Sequence, residues 1–224
     1  MKILPIIVFD FDGVISPGGE KLKNSAWDRL SLLPHPTHTT ASEWQSALLK
    51  ARTVFGIGLG LGSRYDIIAH ALTFTGLASH PNDLLVAQWA DAYNDSVQKM
   101  IIERGVYLET TQMLTHLTAL GYTLYINTAT PTYAVKNSLN ALGLESFFTE
   151  VYGQPNSKIE NMYIIANREE IEPATLLFIG DSSGDVLTAR AVNCTFIGVL
   201  NDSNNWVDTQ FPLIKRLDEL TQYL

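Results

Sequence analysis

The chain has 224 residues, of which 46% are hydrophobic and 17% charged, and its formal net charge is -8. This composition is typical of a globular protein with a sizeable core. The excess of acid disfavours nucleic acid or an anionic membrane as a partner, because both attract clustered Lys and Arg. The sequence has no apolar run of about 18 residues that could span a membrane, and its single cysteine, Cys194, fits a reducing compartment. We therefore expect a cytoplasmic protein.

The N-terminal residues predict a buried strand that ends at two acids. The apolar residues 6–9 run directly into Asp10, Phe11, Asp12 and Gly13. Side chains alternate along an extended strand, so Asp10 and Asp12 are expected on the same side. Two such carboxylates repel each other unless a cation or a shared proton lies between them. Taken alone, the pattern also fits a strand followed by a polar turn at Asp12-Gly13.

The next part of the chain, residues 16–104, has a helical pattern. A cluster of breaking residues at 16–19 precedes it, and no convincing strand occurs before Tyr122. The run 56–62, with glycine at every second position, predicts a loop. The predicted helices cover residues 22–33, 41–54, 65–74 and 82–104, the last with a capping start at 81–83.

After Gly105, helices and strands alternate. Helices are predicted over residues 108–120, 132–142, 157–168, 184–191 and 217–224. Strands are predicted over residues 122–126, 147–152, 176–179, 195–199 and 212–214. The alternation predicts an α/β fold, a Rossmann-like parallel sheet with helices on both faces. Residues 1–15 and 105–224 would form this core, and residues 16–104 a small all-helical cap domain inserted after the first strand.

Acidic, hydroxyl and amine side chains follow the predicted strands or open the helices after them: Asp10, Asp12, Thr128, Lys158, Asp181 and Asp185. In an open parallel sheet, ligands bind at the carboxyl ends of the strands, near the point where strand order reverses. Several carboxylates in one pocket require a divalent cation, and Mg²⁺ prefers hard oxygen ligands while keeping positions for water and phosphate. A hydroxyl and a lysine suit the oxygens of the same phosphate. The set predicts a magnesium-dependent site for phosphoryl transfer.

Four segments carry a resemblance to a known family: Asp10-Phe11-Asp12-Gly13-Val14, the strand ending at Thr128, Lys158 with its preceding loop, and the segment 180–185. Together they resemble the four motifs of the haloacid dehalogenase-like hydrolase superfamily. The helical insertion resembles the C1 cap of subfamily I, which includes phosphoglycolate phosphatases and β-phosphoglucomutases. The resemblance covers nearly the whole chain. It implies a Mg²⁺-dependent phosphoric monoester hydrolase that acts on a small phosphorylated metabolite, as a monomer or homodimer.

The resemblance also implies a role for each motif residue. Asp10 is the expected nucleophile, which forms an aspartyl-phosphate, and also an expected ligand of the metal. Asp12 would act as general acid and then general base, and its backbone carbonyl would bind the metal. Thr128 would hydrogen-bond the phosphoryl group, Lys158 would neutralise its charge and orient Asp10, and Asp181 would be a further metal ligand.

Three more positions follow from the same resemblance. Asp185 is expected to bind the metal directly or through another ligand. Ala129 stands where asparagine is common in the family and is counted with the substrate-binding residues beside Thr128. Lys136 is a rival for the lysine role, but the loop over 152–158 looks much more like the lysine loop of the family.

The cap contributes one candidate, Arg64. It resembles the arginine with which β-phosphoglucomutase-like members grip the part of the substrate remote from the reacting phosphate. Ser63 is at the same time expected to cap the helix that begins at Arg64, with Asp66 in its first turn. One segment can serve both purposes.

Three functions agree with these residues. The favoured one is a phosphatase that works through an aspartyl-phosphate; the alternatives are a phosphomutase of the β-phosphoglucomutase type and a non-catalytic phosphate-ligand-binding protein. Dehalogenases of the superfamily lack an acid at the position of Asp12, so its presence indicates phosphate chemistry. Mutases of this type usually carry an acid immediately before the aspartate of the last motif, where this chain has Gly180. The presence of every motif acid disfavours a mere binding protein.

Overall fold

The structure, a computed structural model, describes residues 4–32, 35–36, 38–56, 63–77, 80, 83–207 and 209–224. The chain divides into two compact units, one formed by residues up to Gly19 with Ile101–Leu224 and the other by Glu20–Met100. Most of the glycine-rich loop expected over 56–62, and the first two residues of the cap expected at 81–83, lie outside the described residues. Within those ranges, no helix has the length and apolar character needed to cross a membrane.

The larger unit contains a six-stranded sheet in which every neighbouring pair of strands is parallel. Its strands are β1 (Ile7–Phe9), β2 (Leu124–Pro131), β3 (Glu150–Gln154), β4 (Leu177–Gly180), β5 (Thr195–Val199) and β6 (Leu213–Ile214). The spatial order is β3-β2-β1-β4-β5-β6. The chain therefore builds outward from β1 first in one direction and then in the other, so the strand order reverses beside β1.

Eight α-helices lie in the described parts of the chain. They are α1 (Gly19–Leu32), α2 (Ala41–Val54), α3 (Arg64–Phe74), α4 (Leu84–Arg104), α5 (Leu108–Ala119), α6 (Thr132–Ala141), α7 (Lys158–Arg168) and α8 (Ser183–Val192). The predicted α/β fold, with a parallel sheet and a separate helical segment, is confirmed.

Both faces of the central strand β1 are buried. Successive side chains of a strand point to opposite faces, and Ile7, Val8 and Phe9 are all fully buried. On its side of the sheet, Val8 packs with Phe178 of β4 and Met162 of α7. This packing leaves only the ends of β1 accessible to a ligand.

The strand β2 differs most from its predicted bounds. It begins at Leu124 rather than at Tyr122, because the Tyr122 N–H donates to the Leu117 carbonyl in the turn that ends α5 around Gly121. It continues to Pro131 because it pairs with β3, with an irregular register between Asn127 and Pro131. Thr128 therefore lies within the strand and not after it.

Two other elements, both in the C-terminal half of the chain, differ from prediction in their bounds or type. The strand expected over 147–152 is β3, which begins only at Glu150. It begins later because Glu145–Phe147 form a 3-10 turn before it. The final helix expected over 217–224 is a 3-10 helix over Leu217–Gln222. Its buried residues, Leu217 and Leu220, are three apart, a spacing that keeps them on one side of a 3-10 helix.

Candidate active site

The carboxyl ends of three adjacent strands bring the predicted polar residues together. β1 lies between β2 and β4. Asp10 follows β1 directly, Thr128 lies in the second half of β2, and Asp181 follows β4. Because strand order reverses here, this edge is where an open parallel sheet binds its ligand.

Lys158, the first residue of α7, lies between two carboxylates. Its Nζ is 3.0 Å from Oδ2 of Asp10 and 2.5 Å from Oδ1 of Asp185. Both carboxylates are buried, and the lysine side chain is only 13% exposed. The rival Lys136 is half-exposed and contacts Oε1 of Glu150 at 2.7 Å instead. The buried cation next to Asp10 is thus Lys158.

Burial is the main influence on the protonation of Asp10. It raises the pKa of the Asp10 carboxyl to about 8; Lys158 opposes the shift, and repulsion from Asp185, Asp181 and Asp12 adds to it. Burial alone would lower the pKa of Lys158, but the charges of Asp10 and Asp185 outweigh it and raise that pKa above its usual range. One ammonium therefore faces several acidic side chains. This excess of acid favours the binding of a second cation.

Asp10, Asp181 and Asp185 form a group that could hold that charge as a metal ion. Each offers one carboxylate oxygen, and the three oxygens lie within 4.8 Å of one another. Hard anionic oxygens of this kind suit Mg²⁺. The group is compact because Gly13, at φ +83°, has no side chain: a Cβ there would lie 2.0 Å from Oδ2 of Asp181. The donor set and its packing fit a divalent cation.

Asp185 is fixed by the start of α8. Ser182 caps this helix, and its hydroxyl donates to Oδ2 of Asp185 at 2.6 Å while the other oxygen faces Lys158. The residue is fully buried. Gly180 lies against it so closely that a Cβ at position 180 would be 2.5 Å from the Asp185 Cβ. The backbone before Asp181 therefore has no space for a side chain.

The carboxylate of Asp12 is not part of the acidic group but lies beside the end of β2. The Thr130 hydroxyl donates to Oδ2 of Asp12 at 2.8 Å. The Thr130 N–H donates to the hydroxyl oxygen of Thr128 at 3.1 Å. A hydroxyl that accepts a backbone hydrogen bond still has its own proton to donate. Ala129, between the two buried threonines, is exposed.

A pair of fully buried asparagines joins β2 to α7. The side-chain amide of Asn127 donates to the backbone carbonyl of Lys158 at 2.8 Å, and its oxygen accepts from Asn161 at 3.1 Å. Ser157 and Glu160 form a capping box at the start of the same helix. The first turn of α7, which carries Lys158, is thereby held at the sheet edge.

Comparison with known proteins gives the family of the chain. Residues 4–193 match the family model of the haloacid dehalogenase-like hydrolases. The chain belongs to this family. The resemblance inferred from the four motifs is confirmed, and the protein is an enzyme of the hydrolase class.

Individual relatives share about a quarter to a third of their residues with this chain over the matched segments. This hydrolase is 31% identical over 99 residues to a phosphoglycolate phosphatase of Haemophilus influenzae (strain 86-028NP), a match that spans 42% of this chain and 44% of that protein. It is 25% identical over 208 residues to the phosphoglycolate phosphatase of Yersinia pestis, spanning 88% of this chain and 82% of that protein. The crystal structure of β-phosphoglucomutase from Clostridium difficile has the same fold, with a TM-score of 0.66 at 17% identity over 99% of this chain and 95% of that one.

The predicted cap residue of this hydrolase, Arg64, lies in the smaller unit. Its guanidinium donates to Oδ1 of Asn94 and lies 5.5 Å from the centre of the Tyr93 ring. The expected cap at Ser63 is present, since its hydroxyl accepts from the Asp66 N–H and the Asp66 carboxylate accepts in return. The guanidinium is therefore held in one orientation within its own unit.

The turn that follows β5 also contributes to the site, although no motif pointed to it. There the Asn201 side-chain amide donates to Oδ2 of Asp181 at 2.6 Å, and that of Asn204 donates to the Asp181 backbone carbonyl at 2.9 Å. The register of β5 and β4 places Gly198 beside Gly180, so residues after β5 reach the same sheet edge. The polar run 201–205 was the available signal, because it follows a predicted strand just as Asp10 and Asp181 do.

Proposed function

We propose that this hydrolase is a magnesium-dependent phosphatase that hydrolyses a small phosphomonoester through an aspartyl-phosphate on Asp10. The observation that carries the proposal is the buried contact of Asp10 with Lys158, next to the acidic group that includes Asp181 and Asp185. Lys158 lowers the pKa of the Asp10 carboxyl against the effect of burial, and a bound metal ion would lower it further, so that an ionised oxygen could attack phosphorus. Names of the relatives from Haemophilus influenzae and Yersinia pestis support phosphate chemistry.

In the first half-reaction, an oxygen of Asp10 forms a bond to phosphorus while the bond from phosphorus to the leaving oxygen breaks. Asp12 gives its proton to that oxygen, so the product leaves as an alcohol. Lys158 offsets the charge of the phosphoryl oxygens, and the Thr128 hydroxyl donates to one of them. Thr130 holds the Asp12 carboxyl through the contact to Oδ2.

In the second half-reaction, water attacks the phosphorus of the aspartyl-phosphate. Asp12, now ionised, takes the water proton, and the bond between phosphorus and Asp10 breaks to give inorganic phosphate and the free carboxylate. Mg²⁺ would be held by the carboxylates of Asp10, Asp181 and Asp185 and by the backbone carbonyl of Asp12. When bound, it would offset the negative charge of the phosphoryl oxygens and of the acidic group.

The proposed substrate is a small phosphorylated metabolite. In this proposal the unit Glu20–Met100 acts as the cap, and Arg64 binds the part of the substrate remote from phosphorus. Ala129 lies beside Thr128 and contributes to the phosphate site. Phosphoglycolate is the first substrate to test, because the curated relatives carry that name.

A phosphomutase is the less favoured alternative. The acid expected of such a mutase would stand at position 180, and the contact of Gly180 with Asp185 leaves no space for it. This packing supports the phosphatase, because the site as it is built cannot accommodate the additional acid.

The test is phosphate release by the purified protein from phosphoglycolate, sugar phosphates, nucleotides and an aryl phosphate, with Mg²⁺ or with EDTA. We expect turnover only with Mg²⁺ and none for Asp10→Asn, because the amide cannot attack phosphorus. Asp218→Asn is the matched control, since it makes the same change at an exposed ion pair with Arg216.

Two outcomes would contradict the proposal. Undiminished phosphate release by Asp10→Asn would show that Asp10 is not the nucleophile. If phosphorus NMR detected conversion of a sugar phosphate into an isomer without phosphate release, the protein would be a mutase instead.

A further inference from the structure

The turn after β5 touches Asp181 at two points. The Asn201 amide donates to the carboxylate oxygen Oδ2 at 2.6 Å, and the Asn204 amide donates to the backbone carbonyl at 2.9 Å. The Asn204 amide also donates to the Val199 carbonyl at 2.9 Å, which ties the turn to the end of β5. Side chain and backbone of one acidic residue are thus held by the same short segment.

The orientation of the Asn201 amide is fixed by a second contact. Its oxygen Oδ1 accepts from the Ser203 N–H at 2.8 Å. A reversed amide would put its oxygen against the Asp181 carboxylate and its NH₂ against the Ser203 N–H, and both contacts would be repulsive. The donor therefore faces the carboxylate, in an arrangement made by the turn itself.

Asp181 is the most exposed of the three acids in the group. Asp10 and Asp185 are buried and pair with Lys158, whereas Asp181 is partly exposed. A partly exposed carboxylate can rotate about its Cβ–Cγ bond unless a neighbour restrains it. The Asn201 amide, which also lies 3.5 Å from the Gly13 carbonyl oxygen, restrains the carboxylate of Asp181.

We propose that Asn201 and Asn204 are positioning residues that set the orientation of Asp181 for a divalent cation. The inference rests on the proposed function in one respect, namely that the acidic group binds the cation. Partners that orient a metal ligand commonly change metal affinity by about 10- to 100-fold when they are removed. Neither asparagine needs to touch the metal or the substrate.

The test measures metal binding and not turnover. Mn²⁺ is titrated into metal-free protein and followed by electron paramagnetic resonance, and Mg²⁺ is then added as a competitor. We expect Asn201→Ala to weaken binding of both ions by about 10- to 100-fold and Asn204→Ala to weaken it less, because the second contact reaches only the backbone. Asn205→Ala is the matched control, since Asn205 is exposed in the same turn.

Each result decides between distinct possibilities. If the wild-type protein binds neither ion, the metal part of the proposed function fails; if it binds them and Asn201→Ala binds them within about twofold, the positioning role alone fails. A merely structural role would lower the melting temperature of metal-free Asn201→Ala without changing its metal affinity. Should Asn201→Ala not fold, unchanged affinity in Asn204→Ala would overturn the inference.

Discussion

At the scale of single residues, the contact between Thr130 and Asp12 is the most direct guide to mechanism. A hydrogen bond to a charged group contributes about 1.5–3 kcal/mol. Thr130→Val keeps the shape of the side chain and removes the donor to Oδ2 of Asp12. We expect kcat/KM to fall at least about tenfold more for an alkyl phosphate than for p-nitrophenyl phosphate, since only the alkyl leaving group depends on a well-placed general acid.

The measurement is kcat/KM over a series of phosphate esters with leaving groups of rising pKa. Thr130→Ser, which retains a hydroxyl, serves as the control and should restore most of the activity. An equal loss for all leaving groups would mean that Thr130 has only a structural role and does not position Asp12.

At the scale of elements, the join between β2 and α7 depends on Asn127. Removing one partner of a buried hydrogen bond costs about 1–3 kcal/mol because the other is left unsatisfied. Asn127→Ala leaves the Asn161 amide without this acceptor and the Lys158 carbonyl without this donor. We expect the free energy of unfolding to fall by about 1–3 kcal/mol, and kcat to fall as Lys158 becomes less well placed.

Denaturant unfolding in EDTA and steady-state kinetics would check this prediction. Asn167→Ala provides the control, because Asn167 is exposed on the same helix. Equal stability of Asn127→Ala and Asn167→Ala would show that the buried asparagine pair does not hold α7.

Sequence patterns identified these elements where the signal is local. Ser63 and Asp66 made the start of α3 predictable, because a capping box is formed within one turn. The start of α7 has the same local arrangement, at Ser157 and Glu160. The length of β2 was not predictable, since its extension to Pro131 depends on pairing with β3.

The site shows the same limit. The placement of Lys158 beside Asp10 agrees with the expectation from its loop, which the resemblance favoured over Lys136. The roles of Asn201 and Asn204 depend on the register of β4 and β5, which no short stretch of sequence encodes. Contacts made by distant segments therefore account for most of what sequence analysis missed.

At the scale of the whole molecule, the buried acids make stability depend on pH and on metal. The pKa of Asp10 is raised from 3.8 to about 8 by folding, so the folded state holds an additional proton between these values. In EDTA, the free energy of unfolding should therefore fall as the pH rises from about 4 to about 8. Lys158 stays protonated in both states throughout this range and adds no slope.

Melting temperatures measured across this range, in EDTA and in Mg²⁺, would check the prediction. Asp10→Asn should flatten the EDTA profile, because an amide does not titrate. Mg²⁺ should stabilise the wild-type protein more at the alkaline end, since protons compete with the cation for carboxylates. If the melting temperature in EDTA rose toward alkaline pH instead, burial would not raise the pKa of Asp10 as described.

The close packing of Gly180 against Asp185 also limits how this enzyme can evolve. A side chain at position 180 would have to displace Asp185, and Asp185 holds Lys158 at 2.5 Å. A single substitution that introduced an acid at 180 would therefore disturb the lysine beside Asp10 before any new activity arose. Divergence toward a motif with that acid requires paired changes at 180 and 185, and the lineage must tolerate an impaired enzyme between them.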